Sequence, residues 1–274
     1  MLKSSRLRDN FKKANRKEFI MKWTDIPAGT IKAAEQRFWV AIGDKAEEVA
    51  VRINTDPAFV ANIARLMING GYKSSTSQKL AREIMGKNFF GIEEAIKYFG
   101  VNPTKQQLAY LAEVPFSEEV LKSCKDTHVP VAMFPLSILD IRGIAKKQSD
   151  QILFYSQDWY NKQAFAMDKG EVGWQLVRKE PIANSTSKTW NDQQALLSKD
   201  EETPTARIVV YTMVGHFLVT GERLFEKIYV RCVDLDSDGY RVFIGYFDAD
   251  GLFIFRWDDA YRNNLIGLSA ARKQ

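Results

Sequence analysis

The spacing of apolar residues changes near residue 128, and this change constrains the fold more than any other feature of the sequence. From about residue 30 to residue 127, apolar residues recur three and four positions apart, which is the period of an amphipathic helix. From residue 128 onward, short aromatic and β-branched runs separated by Asp, Asn and Gly predict strands. We therefore predict an α+β protein with a small all-helical N-terminal domain over 1–127 and a second domain over 128–274.

Capping residues divide the first half into short helices. Thr104 and Ser117 stand directly before helical segments and are predicted N-caps, because a hydroxyl oxygen accepts hydrogen bonds from the free backbone N–H groups of a first turn. Gly86 and Gly100 stand where the helical pattern stops, and glycine readily adopts the conformation that ends many helices. The first half is therefore expected to consist of short helices joined by tight turns.

The second half is predicted to hold one long helix among strands. TPTARIVVYTMVGHFLVTGERLF places Thr203 as N-cap and Pro204 in the first turn, and its apolar stripe continues to Thr220. Before this helix, the strand-like stretches are THVPVAMFPLSILDIRG, QILFYSQDWYNKQAF and VGWQLVRKEPI, followed by the polar loop ANSTSKTWNDQQALLSKDEE. After it, four further strands are predicted in EKIYVRCVDL, GYRVFIGYFD, GLFIFRW and LIGLSAARK.

The positive charge of the chain is concentrated at its start. The net charge is +5, and residues 1–17 contain seven Lys and Arg residues opposed only by Asp9. Such a run is typical of a solvated, flexible terminus, and nucleic acid is the alternative partner that it suggests.

No targeting or membrane segment is recognised. The longest apolar runs are far shorter than the roughly 18 residues of a membrane span, and residues 1–19 lack the apolar core and cleavage site of a secretory signal. We therefore expect a cytoplasmic protein without a membrane span. Cys124 and Cys232 are the only cysteines and lie far apart, so we expect two buried thiols and neither a disulfide framework nor a zinc site.

The stretch DLDSDG resembles the first half of a calcium loop. Asp234, Asp236 and Asp238 occupy positions one, three and five, and Gly239 occupies position six. Position twelve, which requires a bidentate Glu, is Gly245, and the flanking segments are predicted strands instead of helices. The stretch is therefore expected to connect two strands, with no metal ion and no cofactor bound.

The chain offers few groups for catalysis. It has only two histidines, and His216 lies within the apolar helix, where a packed core histidine is expected. No nucleophile elbow, phosphate-binding loop, dinucleotide-binding motif or HExxH motif occurs. An enzyme using Asp234, Asp236 and Asp238 with a metal or as acid and base remains an alternative hypothesis, but we expect no enzymatic activity.

The C-terminal tail has an unusual composition. From Ile228 to Arg272 there is no Lys, Glu, Gln or Met, although all four are abundant elsewhere in the chain. Codons ending in C or T cannot encode these four residues, so partial derivation from such codons would produce this pattern. A β-rich segment with Asp and Gly turns would also be depleted in three of the four, and composition alone does not separate the two explanations.

The segments GERLFEKIYVRC, GYRVFIGYFDADGL and LIGLSAARK, with FPLSILDIRG and SKTWNDQQALL upstream, resemble the variable proteins of diversity-generating retroelements. The resemblance covers His128 to Gln274. It implies a C-type lectin fold of the formylglycine-generating-enzyme type, in which adenine-directed mutagenesis varies side chains on one exposed ligand-binding face. The catalytic cysteine pair of a formylglycine-generating enzyme is absent, so the shared fold does not imply an oxidase.

Matching the family's pattern residue by residue divides the tail into two sets. The fixed framework comprises Arg231, Cys232, Gly239, Arg241, Val242, Gly245, Gly251, Leu252, Trp257, Gly267, Leu268 and Arg272. The expected variable, ligand-binding residues are Phe243, Tyr246, Asp248, Phe253, Phe255, Arg256, Asp258, Ala260, Tyr261, Asn263 and Asn264. The resemblance thus implies a non-catalytic protein that binds varying protein or glycan ligands, with side chains of the kind found in antibody paratopes.

Overall fold

The computed structural model describes residues 32, 35–36, 38–40, 42–68 and 75–274. The basic start of the chain, residues 1–17, lies outside them. Within the described residues the protein is α+β, as the change of apolar period predicts. The chain divides into two compact units between Asp56 and Pro57, which does not coincide with the predicted domain boundary between Thr127 and His128.

The described helices and strands are interspersed along the chain, and five strands follow the last helix. The helices are α1 (Ala46–Thr55), α2 (Pro57–Ile68), α3 (Gln78–Met85), α4 (Ile92–Phe99), α5 (Lys105–Tyr110), α6 (Glu118–Cys124), α7 (Ile138–Gln148), α8 (Ala164–Met167), α9 (Trp190–Gln194) and α10 (Ala206–Thr220). The strands are β1 (Thr76–Ser77), β2 (Glu113–Val114), β3 (His128–Met133), β4 (Gly173–Arg178), β5 (Glu201–Glu202), β6 (Tyr229–Leu235), β7 (Arg241–Asp248), β8 (Gly251–Trp257), β9 (Ile266–Leu268) and β10 (Ala271–Arg272).

In the first unit, a 3₁₀ turn at Gly43–Lys45 continues into α1. Glu47 and Glu48 lie in the first turn of α1 and Arg52 in its last turn, which is the favourable arrangement for the helix dipole. No residue of α1 is fully buried, and its apolar residues Val49 and Ile53 are partly buried.

The described residues of the second unit form three sheets. β1 and β2 make a two-stranded sheet, and β3, β4, β10 and β5 lie side by side in a second. The third sheet has the order β8, β7, β6, β9, with β9 parallel to β6 and the other pairs antiparallel. The strands predicted in the C-terminal tail are thus confirmed, and they build the third sheet and part of the second.

Helix α10 lies at the centre of the second unit. It contacts β3 and β4 of the second sheet, β6 and β7 of the third, and the helices α4, α7 and α8. Because neighbours surround it, residues on every side of the helix are buried. The predicted helix end at Thr220 is confirmed, whereas the N-cap is Thr205 and not Thr203. The hydroxyl of Thr203 instead accepts a hydrogen bond from Gln194 Nε2 at 2.9 Å.

The short helices of the first half share this core. Phe90 packs against Tyr211 of α10 with ring centroids 5.8 Å apart, and Phe89 packs against Trp174 of β4 at 5.6 Å. The backbone N–H of Phe90 also donates to the carbonyl of Pro130 in β3 at 3.0 Å. Residues on both sides of the predicted boundary at 127/128 therefore belong to one hydrophobic core.

The predicted capping residues of the short helices are confirmed. The Thr104 hydroxyl accepts from Gln107 N and the Ser117 hydroxyl accepts from Val120 N, while α3 and α4 end at Gly86 and Gly100. These signals are local, so the sequence alone was sufficient to place them.

Several predictions between 136 and 202 were wrong. The stretch predicted as β-rich continues from β3 into α7, which Ser137 caps by accepting from Asp140 N at 3.0 Å. The stretch 151–165, predicted as a strand, is mainly loop, and its only strand-like contact in the described chain is the bridge between Phe154 and Leu252. The predicted polar loop contains the short helix α9.

His128 is buried at the start of β3, and its Nδ1 lies 2.8 Å from the Thr127 hydroxyl. Burial, together with the nearby positive charge of Arg178, lowers the pKa of His128 to about 4. Between about pH 6.5 and pH 4 the unfolded chain therefore binds a proton that the folded protein does not.

We expect this difference to lower the free energy of unfolding by up to about 3 kcal/mol as the pH falls through that window. Urea unfolding at a series of pH values measures the loss. Burial also lowers the pKa of His216, so part of the pH dependence of the free energy of unfolding will persist in a His128→Gln variant. If the free energy of unfolding of the His128→Gln variant depends on pH as steeply as that of the original protein, the loss does not come from His128.

Candidate ligand-binding face

The predicted ligand-binding residues lie on β7, on β8 and in the segment 258–264 that follows β8. Alternate residues of a strand point to opposite faces of a sheet. In β8, Leu252 and Ile254 are buried, whereas Phe253 is partly exposed and Phe255 is 43% exposed. Phe243 lies directly opposite Phe255 in β7. The outer face of the third sheet therefore carries the odd-numbered side chains of β8.

Aromatic side chains cover this outer face, which we call the aromatic face. Tyr155 stacks on Phe253 with ring centroids 3.9 Å apart, and Trp257 lies 4.9 Å from Tyr261. The members are Tyr155, Tyr229, Phe243, Tyr246, Phe253, Phe255, Trp257 and Tyr261. A groove of about 180 Å³ crosses it, and Asn263, Leu265 and Ile266 complete the groove lining. Exposed apolar surface of this kind is typical of binding sites.

The predicted contact residues differ in exposure. Phe255, Asp258, Ala260 and Asn264 are exposed, and Tyr246, Asp248, Phe253, Arg256, Tyr261 and Asn263 are partly exposed. Phe243 is only 3% exposed, so the expectation of an exposed side chain there was wrong: its ring lies between those of Tyr229 and Phe255 and forms the floor of the groove.

Several residues of this surface were missed by sequence reasoning. Trp257 was assigned to the fixed framework, yet its side chain is 46% exposed and lines the groove. Tyr155 and Trp159 belong to the stretch wrongly predicted as a strand, and Tyr240 precedes β7. Tyr155, at 40% exposed, and Tyr240, at 44%, are large apolar side chains open to solvent. The aromatic character of these residues was the only signal in the sequence. It did not indicate where in the fold the loop that carries Tyr155 and Trp159 would lie.

Tyr246 has an unusual backbone conformation. Its φ is +46°, in the left-handed region that non-glycine residues seldom adopt. An irregularity of pairing between β7 and β8 follows Gly245, and the N–H of Tyr246 donates to the carbonyl of Ile228 at 3.1 Å. The Tyr246 ring then lies 4.7 Å from that of Tyr229. The bulge therefore turns this side chain toward the aromatic face.

Arg231 anchors the segment after β8 from within the protein. This framework residue is 1% exposed, and its guanidinium donates to Lys188 O at 3.0 Å, to Gln193 Oε1 at 2.9 Å and to Tyr261 O. Gln193 in turn donates to Ile266 O at 3.2 Å. Arg231 thus holds segment 258–264 by its backbone at Tyr261 and not by a side chain of the segment.

A second arginine holds the same segment. Arg241 donates two hydrogen bonds of 2.9 Å to the carboxylate of Asp259, and its guanidinium lies 3.9 Å from the ring centre of Trp190. It also donates to the carbonyl of Val233. Because a planar guanidinium satisfies all these partners at once, Arg241 fixes where the chain turns after β8.

Two framework glycines occupy sites with no room for a side chain. A Cβ atom on Gly245 would lie 2.0 Å from the carbonyl oxygen of Ile228, and one on Gly251 would lie 2.5 Å from the backbone of Phe154. Gly251 also has a φ of +97°, which glycine adopts readily. The β7–β8 hairpin therefore depends on close backbone contacts at Gly245, within β7, and at Gly251, the first residue of β8.

The DLDSDG stretch is a structural connection. Asp234 Oδ2 accepts a 2.5 Å hydrogen bond from Ala206 N at the start of α10, and Asp236 Oδ1 accepts from Asp238 N and Tyr240 N at 2.9 and 2.8 Å. Asp236 and Asp238 also pair with Arg256. Among the described residues no group of His, Cys, Asp and Glu is arranged to hold a metal ion. The stretch connects β6 to β7, as predicted.

Arg256 points away from the aromatic face. Besides Asp236 it pairs with Asp238 at 3.0 Å, and its guanidinium lies 4.9 Å from the ring centre of Trp159. Arg256 and Trp159 border a second cavity of about 460 Å³, which we call the edge cleft. Its lining residues are Trp159, Tyr240, Phe255, Arg256, Trp257 and Asp258. The groove and the edge cleft are adjacent, since Phe255 and Trp257 line both of them. Predicted binding residues therefore border both cavities.

Cys124 and Cys232 are both buried free thiols, as expected. Burial holds the pKa of the Cys232 thiol well above its ordinary value, which leaves it protonated and unreactive. His216 is buried in α10, also as expected. Neither cysteine lines the groove or the edge cleft.

Comparison with protein-family models, with characterised proteins and with solved structures finds no match to this chain. Among the described residues no helix has the length and apolar character needed to cross a membrane.

Proposed function

We propose that this protein is a non-catalytic binding protein with a C-type lectin fold, and that a retroelement varies the side chains of its aromatic face. The ligands would be proteins or glycans that differ from one variant to the next. We further propose that it acts in the cytoplasm. The observation that carries the proposal is an exposed aromatic surface on a backbone held by buried arginines and glycines.

The chemistry of the aromatic face suits recognition of diverse ligands. Tyr, Phe and Trp supply large contact areas with few rotatable bonds, and they are the side chains that dominate binding energy at interfaces. Asp258, Asn263 and Asn264 lie beside the rings and add polar groups that donate or accept hydrogen bonds. A surface of this composition binds through rigid anchors surrounded by adaptable polar contacts.

The buried framework separates folding from recognition. Arg231 contacts segment 258–264 through the backbone carbonyl of Tyr261, so this contact would survive a change of the exposed side chains of the segment. The carboxylates that an enzyme or a calcium site would require, Asp234 and Asp236, are engaged in capping α10 and in binding Arg256. This division favours variable binding over catalysis.

We expect replacement of Phe255, Asp258 and Asn264 together by serine to lower the free energy of unfolding by at most about 2 kcal/mol, because Asp258 and Asn264 are exposed and the Phe255 side chain is 43% exposed. The matched control is Ile254→Ser on the opposite face of β8, where a fully buried side chain is lost and stability should fall by about 3–5 kcal/mol. Urea denaturation measures both. A triple variant as unstable as the control would show that the face is part of the core.

The genomic neighbourhood tests diversification directly. We expect a near-copy of the DNA encoding the C-terminal tail, differing at adenines, beside a reverse-transcriptase gene. Differences among closely related genes should concentrate at the exposed codons of the aromatic face and spare Arg231, Arg241 and Gly245. Differences spread evenly along the gene, with no repeat nearby, would refute diversification.

A further inference from the structure

Strand β8 lies at the edge of its sheet, and only its first half is covered. The backbone N–H groups of Leu252 and Ile254 donate outward to Leu153 O at 3.0 Å and to Gln157 Oε1 at 3.1 Å. The carbonyl of Ile254 accepts from Trp159 Nε1 at 3.0 Å. The loop 153–159 therefore takes the place of a neighbouring strand along residues 252–254.

The second half of the same edge is open. Alternate residues of a strand direct their backbone groups to the same side, so the N–H and C=O of Arg256 point outward like those of Leu252 and Ile254. No described residue hydrogen-bonds these two groups. An unpaired strand edge is a template for an additional strand.

The edge cleft lies along this open half. Phe255 and Trp257 project from one face of β8 and Arg256 from the other, yet all three line the same cavity. A cavity that touches both faces of an edge strand must run beside that edge. Trp159 and Tyr240 complete its lining with aromatic rings. The volume of about 460 Å³ accommodates several residues' side-chain atoms beside the strand.

The charges around the cleft are unbalanced. Asp258 lines it, Asp236 and Asp238 pair with Arg256, and Arg256 is the one cation among the described lining residues. Arg256 is held by two of these carboxylates, whereas Asp258 is exposed and its Oδ1 accepts only the N–H of Ala260 among the described residues. A cation that enters the cleft would meet aromatic faces and a carboxylate that forms no ion pair with a described residue, both of which attract it.

We propose that the open edge of β8 binds an extended, basic segment of a protein ligand as an additional strand, with a Lys or Arg side chain lying in the edge cleft against Asp258. This inference rests on the proposed binding function and specifies the ligand class. Main-chain hydrogen bonds to Arg256 would supply affinity independent of sequence, and the cleft would select the basic side chain.

Panning random dodecapeptides displayed on phage against the full-length protein at low ionic strength tests the inference. We expect the enriched peptides to carry Lys or Arg. Methylation of single backbone amides in a selected peptide should weaken binding most at the amide that donates to the carbonyl of Arg256 and little at the two amides beside it, because adjacent N–H groups of a strand point to opposite sides. Asp258→Lys should weaken binding at least about tenfold, whereas Asp250→Lys, an exposed carboxylate in the β7–β8 turn, should leave it unchanged.

The outcomes separate this inference from the proposed function. Selected peptides without basic residues, equal loss at every methylated position, or full binding by Asp258→Lys would each overturn strand addition. In any of these cases, the selected peptides should be tested against a variant with Phe253 and Tyr261 replaced by serine. If that variant binds them more weakly, the aromatic face binds ligands, and only the proposal of strand addition at β8 fails. If no peptide is enriched but the protein binds a glycan on an array, strand addition is also overturned, whereas the proposed binding function stands.

Discussion

Replacement of Arg231 by methionine is expected to lower the free energy of unfolding by about 3–5 kcal/mol. The guanidinium is buried, and it is the donor to the carbonyls of Lys188 and Tyr261 and to Gln193 Oε1. Methionine fills much of the space but donates no hydrogen bond, so one buried and two partly buried acceptors would lose their partner. Chemical denaturation monitored by tryptophan fluorescence measures the loss.

The matched control is Arg262→Met in the same segment. The Arg262 side chain is 63% exposed and lies 3.6 Å from the Asp192 carboxylate, an exposed pair of the kind that contributes less than about 1 kcal/mol. Equal stability of the two variants would show that Arg231 does not anchor segment 258–264. A stable Arg231→Met protein that loses ligand binding would instead place Arg231 in the binding surface.

The contrast between these arginines shows what the sequence reveals about the tail. Arg231 was assigned to the framework by resemblance, and its burial and hydrogen bonds fit that role. The strands of the tail and the long helix were predicted from local patterns of apolar residues and turns, because those patterns depend only on neighbouring positions. Helix caps at Thr104 and Ser117 were predicted for the same reason.

The face that each tail residue occupies was harder to predict. In β7, Val242, Phe243 and Ile244 are consecutive apolar residues, so alternation does not distinguish the buried face from the exposed one. The structure buries Phe243 as well, because the rings of Tyr229 and Phe255 cover it from neighbouring positions. Trp257 shows the converse, since this residue of the expected framework lies at the end of β8 with its side chain 46% exposed.

Long-range packing accounts for the remaining differences. Tyr155 and Trp159 reach the aromatic face and the edge cleft only because the loop 153–159 pairs with β8, almost a hundred positions later in the chain. No local pattern encodes such a contact. The domain boundary at 127/128 was similarly predicted from a local change in the spacing of apolar residues. Phe89 and Phe90 of the first half pack against residues of the second half, and the local spacing does not indicate these contacts.

Replacement of Gly245 by alanine is expected to destabilise the protein by more than about 3 kcal/mol. The new Cβ atom would lie 2.0 Å from Ile228 O and 2.7 Å from the Cα of Tyr229, both backbone atoms. They cannot move freely, because Tyr229 is paired with Ile266 of β9 as well as with Gly245. The strands β6 and β7 would have to separate, and this is measured as a lower midpoint of urea denaturation.

Gly173→Ala provides the matched control, since Gly173 also lies in a strand but has no atom within 4 Å of the position of an added Cβ. We expect that variant to unfold within about 0.5 kcal/mol of the original protein or to be slightly more stable, because alanine restricts the unfolded chain. If both alanine variants behave alike, the close contact between β6 and β7 does not constrain the hairpin. A large loss at Gly245 alone would mean that the position of Tyr246, and with it one end of the aromatic face, is fixed by backbone packing and not by the side chains that meet a ligand.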